Sequence, residues 1–273
     1  MTDRANGVAE ARMLPVGTKA AIRVPASSAN LGPGFDTLGL ALGMWDDVSC
    51  EVIDSGLVID VEGEGSGEVP LNEKHLVYRA FRAAMEANGY DVPGLHLVCH
   101  NRVPESRGLG SSAAAAVGGV ALADALCDRP FDLTRMVQIS SEFEGHPDNS
   151  SAAVLGGMVV SWADEPGFAN TSYHAVRLDV HPDIRATALV PYSRSSTEET
   201  RAVLPATVPH RDAVFNVSRA SMMMLAMTKR PDLLFDASED RLHQQQRAAA
   251  LPVTTRWIRC LRCLLYTSPS PRD

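Results

Sequence analysis

Residues 104–119 read PESRGLGSSAAAAVGG, and no other stretch limits the possible folds of this chain so sharply. Alanine is the strongest helix former, so a helix is predicted over 111–126, starting at the serine pair Ser111 and Ser112. The β-favouring run LHLVCHNRV (95–103) precedes it, which makes the local unit a strand, a glycine loop and a helix. A helix start exposes unpaired N–H groups and the positive end of aligned peptide dipoles, and both favour an anion. Gly108 and Gly110 have no Cβ to hold that anion away from the backbone. The two hydroxyls can reach a phosphate or its metal ion, so the stretch is built as a phosphate cradle.

Three kinds of glycine loop compete for this pattern. A Walker loop needs a lysine before its Ser or Thr, and none is near Ser111. The dinucleotide fingerprint G-x-G-x-x-A matches Gly108, Gly110 and Ala113. However, four residues from Pro104 to Arg107 separate it from its strand, and the region of Asp124 and Asp128 passes from helix to helix instead of ending a second strand. A structural glycine turn before a packed helix is the plain reading beside these, and the third kind of loop rests on a family resemblance given below.

The 273-residue chain can bury a large core, in one domain or in two modest ones. It has no apolar segment long enough to cross a bilayer and no secretory or import pattern at its start, so a cytoplasmic location is expected. A net charge of −8 argues against general nucleic-acid affinity. Small anions must then be met by local devices such as the cradle. Cys50, Cys99 and Cys127 sit in apolar or helical settings typical of reduced thiols, and the lone pair Cys260 and Cys263 lacks the context of a zinc or redox site.

Strands are predicted over 20–27, 48–54, 57–62, 157–163 and 186–192, with polar connecting sequence between the last two. Helices are predicted from Asn72 to Gly89, over 132–144 with a stop at Gly145, and over 197–204, 211–228 and 238–248. The loop ANLGPGFDTLG (29–39) has no regular structure, and the methionine cluster SMMMLAM (221–227) reads as core packing.

Five spaced motifs, in order, carry a family resemblance: PASSANLGPGFDTLGLAL (25–42), VPESRGLGSSAA (103–114), EGHPDN (144–149), STEETRAVLP (196–205) and DRLHQQQR (240–247). Over roughly residues 20 to 250 the chain resembles the homoserine kinases of the galactokinase, homoserine kinase, mevalonate kinase and phosphomevalonate kinase superfamily. The resemblance implies a two-lobed α+β fold, with an amino-terminal ribosomal-protein-like α/β lobe and a ferredoxin-like second lobe. It implies ATP-dependent phosphorylation of the L-homoserine side-chain hydroxyl, a step of threonine biosynthesis, and a homodimer with neither nucleic-acid nor membrane partners.

On that resemblance ATP would lie on Pro104, Glu105, Ser106, Arg107, Gly108, Leu109, Gly110, Ser111, Ser112, Ala113 and Ala114, and Mg2+ on Ser112 and Glu144. Glu142 ranks second as a metal ligand because its side chain leaves the helix in another direction. Asp36 would hold the substrate ammonium, and Arg201 and Arg247 its carboxylate. Asn30, His146 and Asn149 would complete the acceptor pocket, and His243 is not carried over. Asp148, Asn149, Glu144 and Arg201 would stand nearest the chemistry, with the destination of the hydroxyl proton open. Another small-alcohol kinase of the superfamily, or an inactive nucleotide-binding relative, are the alternatives.

The expected organisation is a loose tail over 1–18, an ATP-binding lobe over 19–165, a second lobe over 166–252 and a tail of foreign character over 253–273. The last segment has no helical period, ends in a Ser-Pro repeat and resembles a translated adapter sequence. No Gly-x-Gly-Pro-Thr-like loop follows residue 250, so the second lobe is expected to be incomplete.

Overall fold

The computed structural model describes residues 11–168, 170–194 and 196–267. In chain order they form β1 (Arg12–Met13), β2 (Lys19–Ala29), β3 (Leu38–Ile53), β4 (Gly56–Gly63), α1 (Leu76–Ala87), β5 (Tyr90–Asp91), β6 (Gly94–Asn101) and α2 (Ser111–Leu126). There follow α3 (Leu133–Glu144), α4 (Asp148–Leu155), β7 (Met158–Ala163), β8 (Tyr173–Leu178), α5 (Thr197–Ala202), α6 (His210–Thr228), α7 (Leu234–Ala237) and α8 (Pro252–Thr267).

The sixteen-residue β3 organises the main sheet. Its Asp47–Ile53 half pairs with β6 and its Leu38–Leu40 end with β7, both antiparallel, while β2 also runs antiparallel to it. β4 lies parallel to β6, and β8 pairs with β7. The apolar face of this sheet packs on α1, α2 and α3 through Val52, Leu95, Leu97, Phe81, Met85 and Leu122, all buried. Small, apolar α2 is buried on most sides, as a helix without a polar face must be.

A second cluster joins Leu38 of β3 and Met158 of β7 to Met223, Ala226 and Met227 of α6. The methionine run is core, as its composition indicates. This packing sets α6 and the segment after it against the end of the sheet that carries the 30–37 loop.

Several expectations give way. The stretch over 1–18 is not a loose tail from residue 11 on, because Arg12–Met13 pairs with Tyr90–Asp91, Leu14 is buried and the Gly17 N–H donates to Val52. Residues 1–10 lie outside the described residues. Asp164–Pro166, the expected lobe boundary, falls in the turn between β7 and β8 of one sheet. The supposed connecting sequence there holds β8, whose Tyr173 and Val176 carry its β-propensity.

No strand forms over 186–192: among the described residues none runs beside it, so it has no ladder to join. Beyond Leu178 the described residues are helices and turns, so the second lobe is incomplete, as expected. Residues 238–248 are mostly turns, with one short 3-10 segment at Gln246–Ala248. Helix α8 occupies a segment where no helical period was evident, and Arg262 ties it to the Phe235 carbonyl at 3.0 Å and the Ser238 hydroxyl at 2.7 Å.

Candidate active site

Gly110 precedes α2 with φ 68°, and no side chain caps the helix. Gly108 is also left-handed, at φ 75°. Between them Leu109 turns inward onto Ala26 and Val103, which leaves Gly108 at the surface. The N–H groups of Ser111, Ser112 and Ala113, in the first turn, have no carbonyl to meet within their own helix. Ala114 differs, because its N–H donates to the Gly110 carbonyl at 2.8 Å. Its methyl is buried as well, so Ala114 offers the cradle no free group. Pro104, Glu105, Ser106 and Arg107 form the outer turn, with Ser106 at φ 56°.

The cradle is fastened by a feature the sequence reading passed over. The β2–β3 register shifts between Pro25 and Ser27, as a bulge does when it re-aims a residue. Ser27 N–H then leaves the ladder and donates to the Leu109 carbonyl at 3.0 Å. Its hydroxyl donates to Asn149 Oδ1 at 2.9 Å. Pro25 within a predicted strand was the available signal.

Ser112, at the start of α2, and Glu144, at the end of α3, come together. The Ser112 hydroxyl donates to Glu144 Oε1 at 2.5 Å. Glu142 instead accepts from Gln138 Nε2 at 2.8 Å. Among the described residues no group of three or more His, Cys, Asp or Glu side chains converges on a metal position. The Ser112–Glu144 pair nevertheless supplies two hard oxygen donors beside an anion cradle, the donor set suited to a magnesium ion that takes its other ligands from phosphate and water.

Gly145 ends α3, and three residues on α4 begins with Asp148. Asp148 is fully buried; its Oδ1 accepts from the Asn149 N–H at 2.8 Å and faces His146 Nδ1 at 2.7 Å. Its Oδ2 has no hydrogen-bond partner. A carboxylate in a first helical turn is favoured by the helix dipole. Burial works to lower the His146 pKa, but the hydrogen bond and charge of Asp148 outweigh it and hold His146 above the ordinary histidine value.

The acceptor residues converge from three distant parts of the chain. Asn30 Oδ1 accepts the Asp36 N–H at 3.0 Å, and both residues have positive φ. Asp36 is gripped by both terminal nitrogens of Arg201, at 2.5 and 2.9 Å. The two groups expected to hold opposite ends of a substrate therefore hold each other. The guanidiniums of Arg201 and Arg247 lie 5.2 and 4.8 Å from the centroid of the Phe35 ring. Burial, and then the like charge of Arg201, pull Arg247 below the ordinary arginine value. Its Nε is buried without a partner.

Residues 75–157 match the GHMP kinases N terminal domain, a span that contains the cradle, Glu144 and Asp148. The homoserine kinase of Rhodococcus erythropolis is 59% identical over 256 residues, covering 91% of this chain and 82% of the relative. That of Corynebacterium jeikeium is 56% identical over 255 residues, covering 93% and 83%. Among solved structures, a homoserine kinase from Cytophaga hutchinsonii superposes with a TM-score of 0.71 at 23% identity, over 86% of this chain and 75% of that one. With that degree of likeness over most of both chains, and with an α+β architecture shared with the solved kinases, the chain belongs to the homoserine kinase family of GHMP kinases.

Proposed function

We propose that this protein transfers the γ-phosphoryl group of ATP to the side-chain hydroxyl of L-homoserine, giving O-phospho-L-homoserine and ADP. The observation that carries this reading is a linkage in the structure. The bond from Ser27 to Asn149 ties the cradle to α4, whose first residue Asp148 pairs with His146 beside the Asp36, Arg201 and Arg247 cluster. The high identity to homoserine kinases supports the choice of acceptor.

Phosphoryl transfer asks for charge neutralisation and in-line positioning more than for covalent chemistry. The N–H groups of Ser111 and Ser112, at the exposed start of α2, would take phosphate oxygens, with the buried Ala113 behind them. Ser112 and Glu144 would hold Mg2+, which when bound neutralises spread phosphate charge. Asp36 would hold the substrate ammonium, and Arg201 with Arg247 its carboxylate. Asn30 fixes the Asp36 loop by its hydrogen bond. Asp148, His146 and Asn149 would line the reacting hydroxyl, where positioning and charge stabilisation carry most of the barrier reduction.

The test is a coupled ADP-release assay with L-homoserine, mevalonate and galactose as acceptors. Turnover of homoserine alone is expected. Turnover of mevalonate or the sugar, with homoserine inert, overturns the acceptor assignment.

A further inference from the structure

We infer that Phe35 and His243 form an aromatic platform that orients Arg201 and Arg247 toward the acceptor carboxylate, an inference that rests on the function proposed above. Neither residue belongs to the polar set that the family resemblance assigns.

Two guanidiniums repel each other, yet both lie within cation–π range of the single Phe35 ring. The ring is itself held in place. Its centroid is 5.1 Å from that of the His243 imidazole, at an interplanar angle of 31°. His243 Nε2 lies 2.7 Å from the Gly32 carbonyl, three residues before Phe35. A carbonyl only accepts, so the ring proton sits on Nε2. Nδ1 is buried with no partner, as in a neutral imidazole. Burial above all holds His243 below the ordinary histidine value, consistent with that form.

The imidazole is anchored in turn from α6. Buried Asp240 accepts the His243 N–H at 2.9 Å and the Gln244 N–H at 2.7 Å, and Asn216 Nδ2 donates to it at 2.8 Å. Asn216 Oδ1 also accepts the Arg241 N–H at 2.8 Å. A continuous chain of contacts therefore runs from Asn216 through Asp240 and His243 to Phe35 and the arginines. Phe35 and His243 are positioning residues: they act on substrate through the guanidiniums.

The test compares Phe35→Leu, which keeps an apolar side chain but removes the π face, with His243→Ala and His243→Gln. Phe35→Leu is expected to raise KM for homoserine about tenfold, with KM for ATP and the urea midpoint close to wild type. His243→Ala should raise the same KM, and His243→Gln, which keeps an N–H for Gly32, should recover part of the loss. In an Arg247→Ala background, Phe35→Leu should add less than it does alone, because only Arg201 is then left for the ring to orient. An unchanged homoserine KM in Phe35→Leu, equal rises in both KM values, or full additivity with Arg247→Ala overturns the platform. If wild-type protein phosphorylates another alcohol and not homoserine, the function proposed above fails, and the platform fails with it.

Discussion

Alanine at Gly108 and alanine at Gly110 separate two roles of the loop that glycine composition alone confounds. Both positions have positive φ, so an L side chain costs roughly 1–2 kcal/mol at either. At Gly108 nothing lies within 4 Å of the added Cβ, and the cost stops there. At Gly110 the Cβ would stand 2.2 Å from Ser27 Oγ and 2.9 Å from Asn149 Oδ1, which forces that hydrogen bond apart. Ser27 is fully buried, and leaving its hydroxyl unpaired adds about 1–3 kcal/mol. Urea unfolding should therefore rank Gly110→Ala well below Gly108→Ala. Binding of a non-hydrolysable ATP analogue, measured by calorimetry, should tell a different story for Gly108→Ala. Its methyl projects into the open space that the proposed cradle gives to phosphate, so affinity should fall at least about tenfold, a binding loss of about 1.4 kcal/mol. Wild-type affinity in a folded Gly108→Ala protein would refute the cradle.

The metal reading predicts that Ser112→Ala and Glu144→Gln each raise the Mg2+ concentration for half-maximal activity. The exposed Ser112 and part-exposed Glu144 side chains should cost less than about 1 kcal/mol of stability, read by titrating Mg2+ at fixed ATP beside urea melts. Asp148→Asn should lower kcat by roughly 10²–10⁴, as steady-state kinetics would show, with a loss of stability that is largest at low pH, where the pairing with His146 is fully present. The same variant gives a pH signature. Because His146 is raised in the fold, its pairing with Asp148 contributes fully below the ordinary histidine pKa, and the contribution is lost as pH rises through the raised value. Urea midpoints across that window should fall with pH in wild type, and the fall should flatten in Asp148→Asn.

The legible parts of the molecule were those whose signals are local. Helix α2 begins at Ser111 and ends at Leu126 as its alanine run indicates, and Asp132 and Gly145 cap α3 where capping chemistry places them. Ser112 and Glu144, read as partners only through the family resemblance, do meet. What escaped were features decided by distant pairing. The strand expected over 186–192 has adequate β-propensity but no neighbour among the described residues, while β8 has one in β7. Ser27 looks like an ordinary strand serine until the bulge beside Pro25 turns it to the cradle. His243 was set aside because a lone histidine says nothing about a carbonyl 211 residues earlier in the chain.

The mutual grip of Asp36 and Arg201 bears on how the site selects its acceptor. Each side chain is about one third exposed, so the pair stays within reach of an incoming ligand. On the function proposed above, an amino-acid zwitterion would replace it by exchange: its ammonium would take Asp36, and its carboxylate Arg201 and Arg247. Every charge that loses a partner then gains one, and the desolvation cost that penalises a stranded buried charge does not arise. A hydroxy acid without an ammonium would free Arg201 but set its carboxylate beside Asp36, and a neutral sugar could break the pair only by leaving both charges unmatched. Discrimination on this reading comes as much from what the wrong acceptor strands as from what the right one binds.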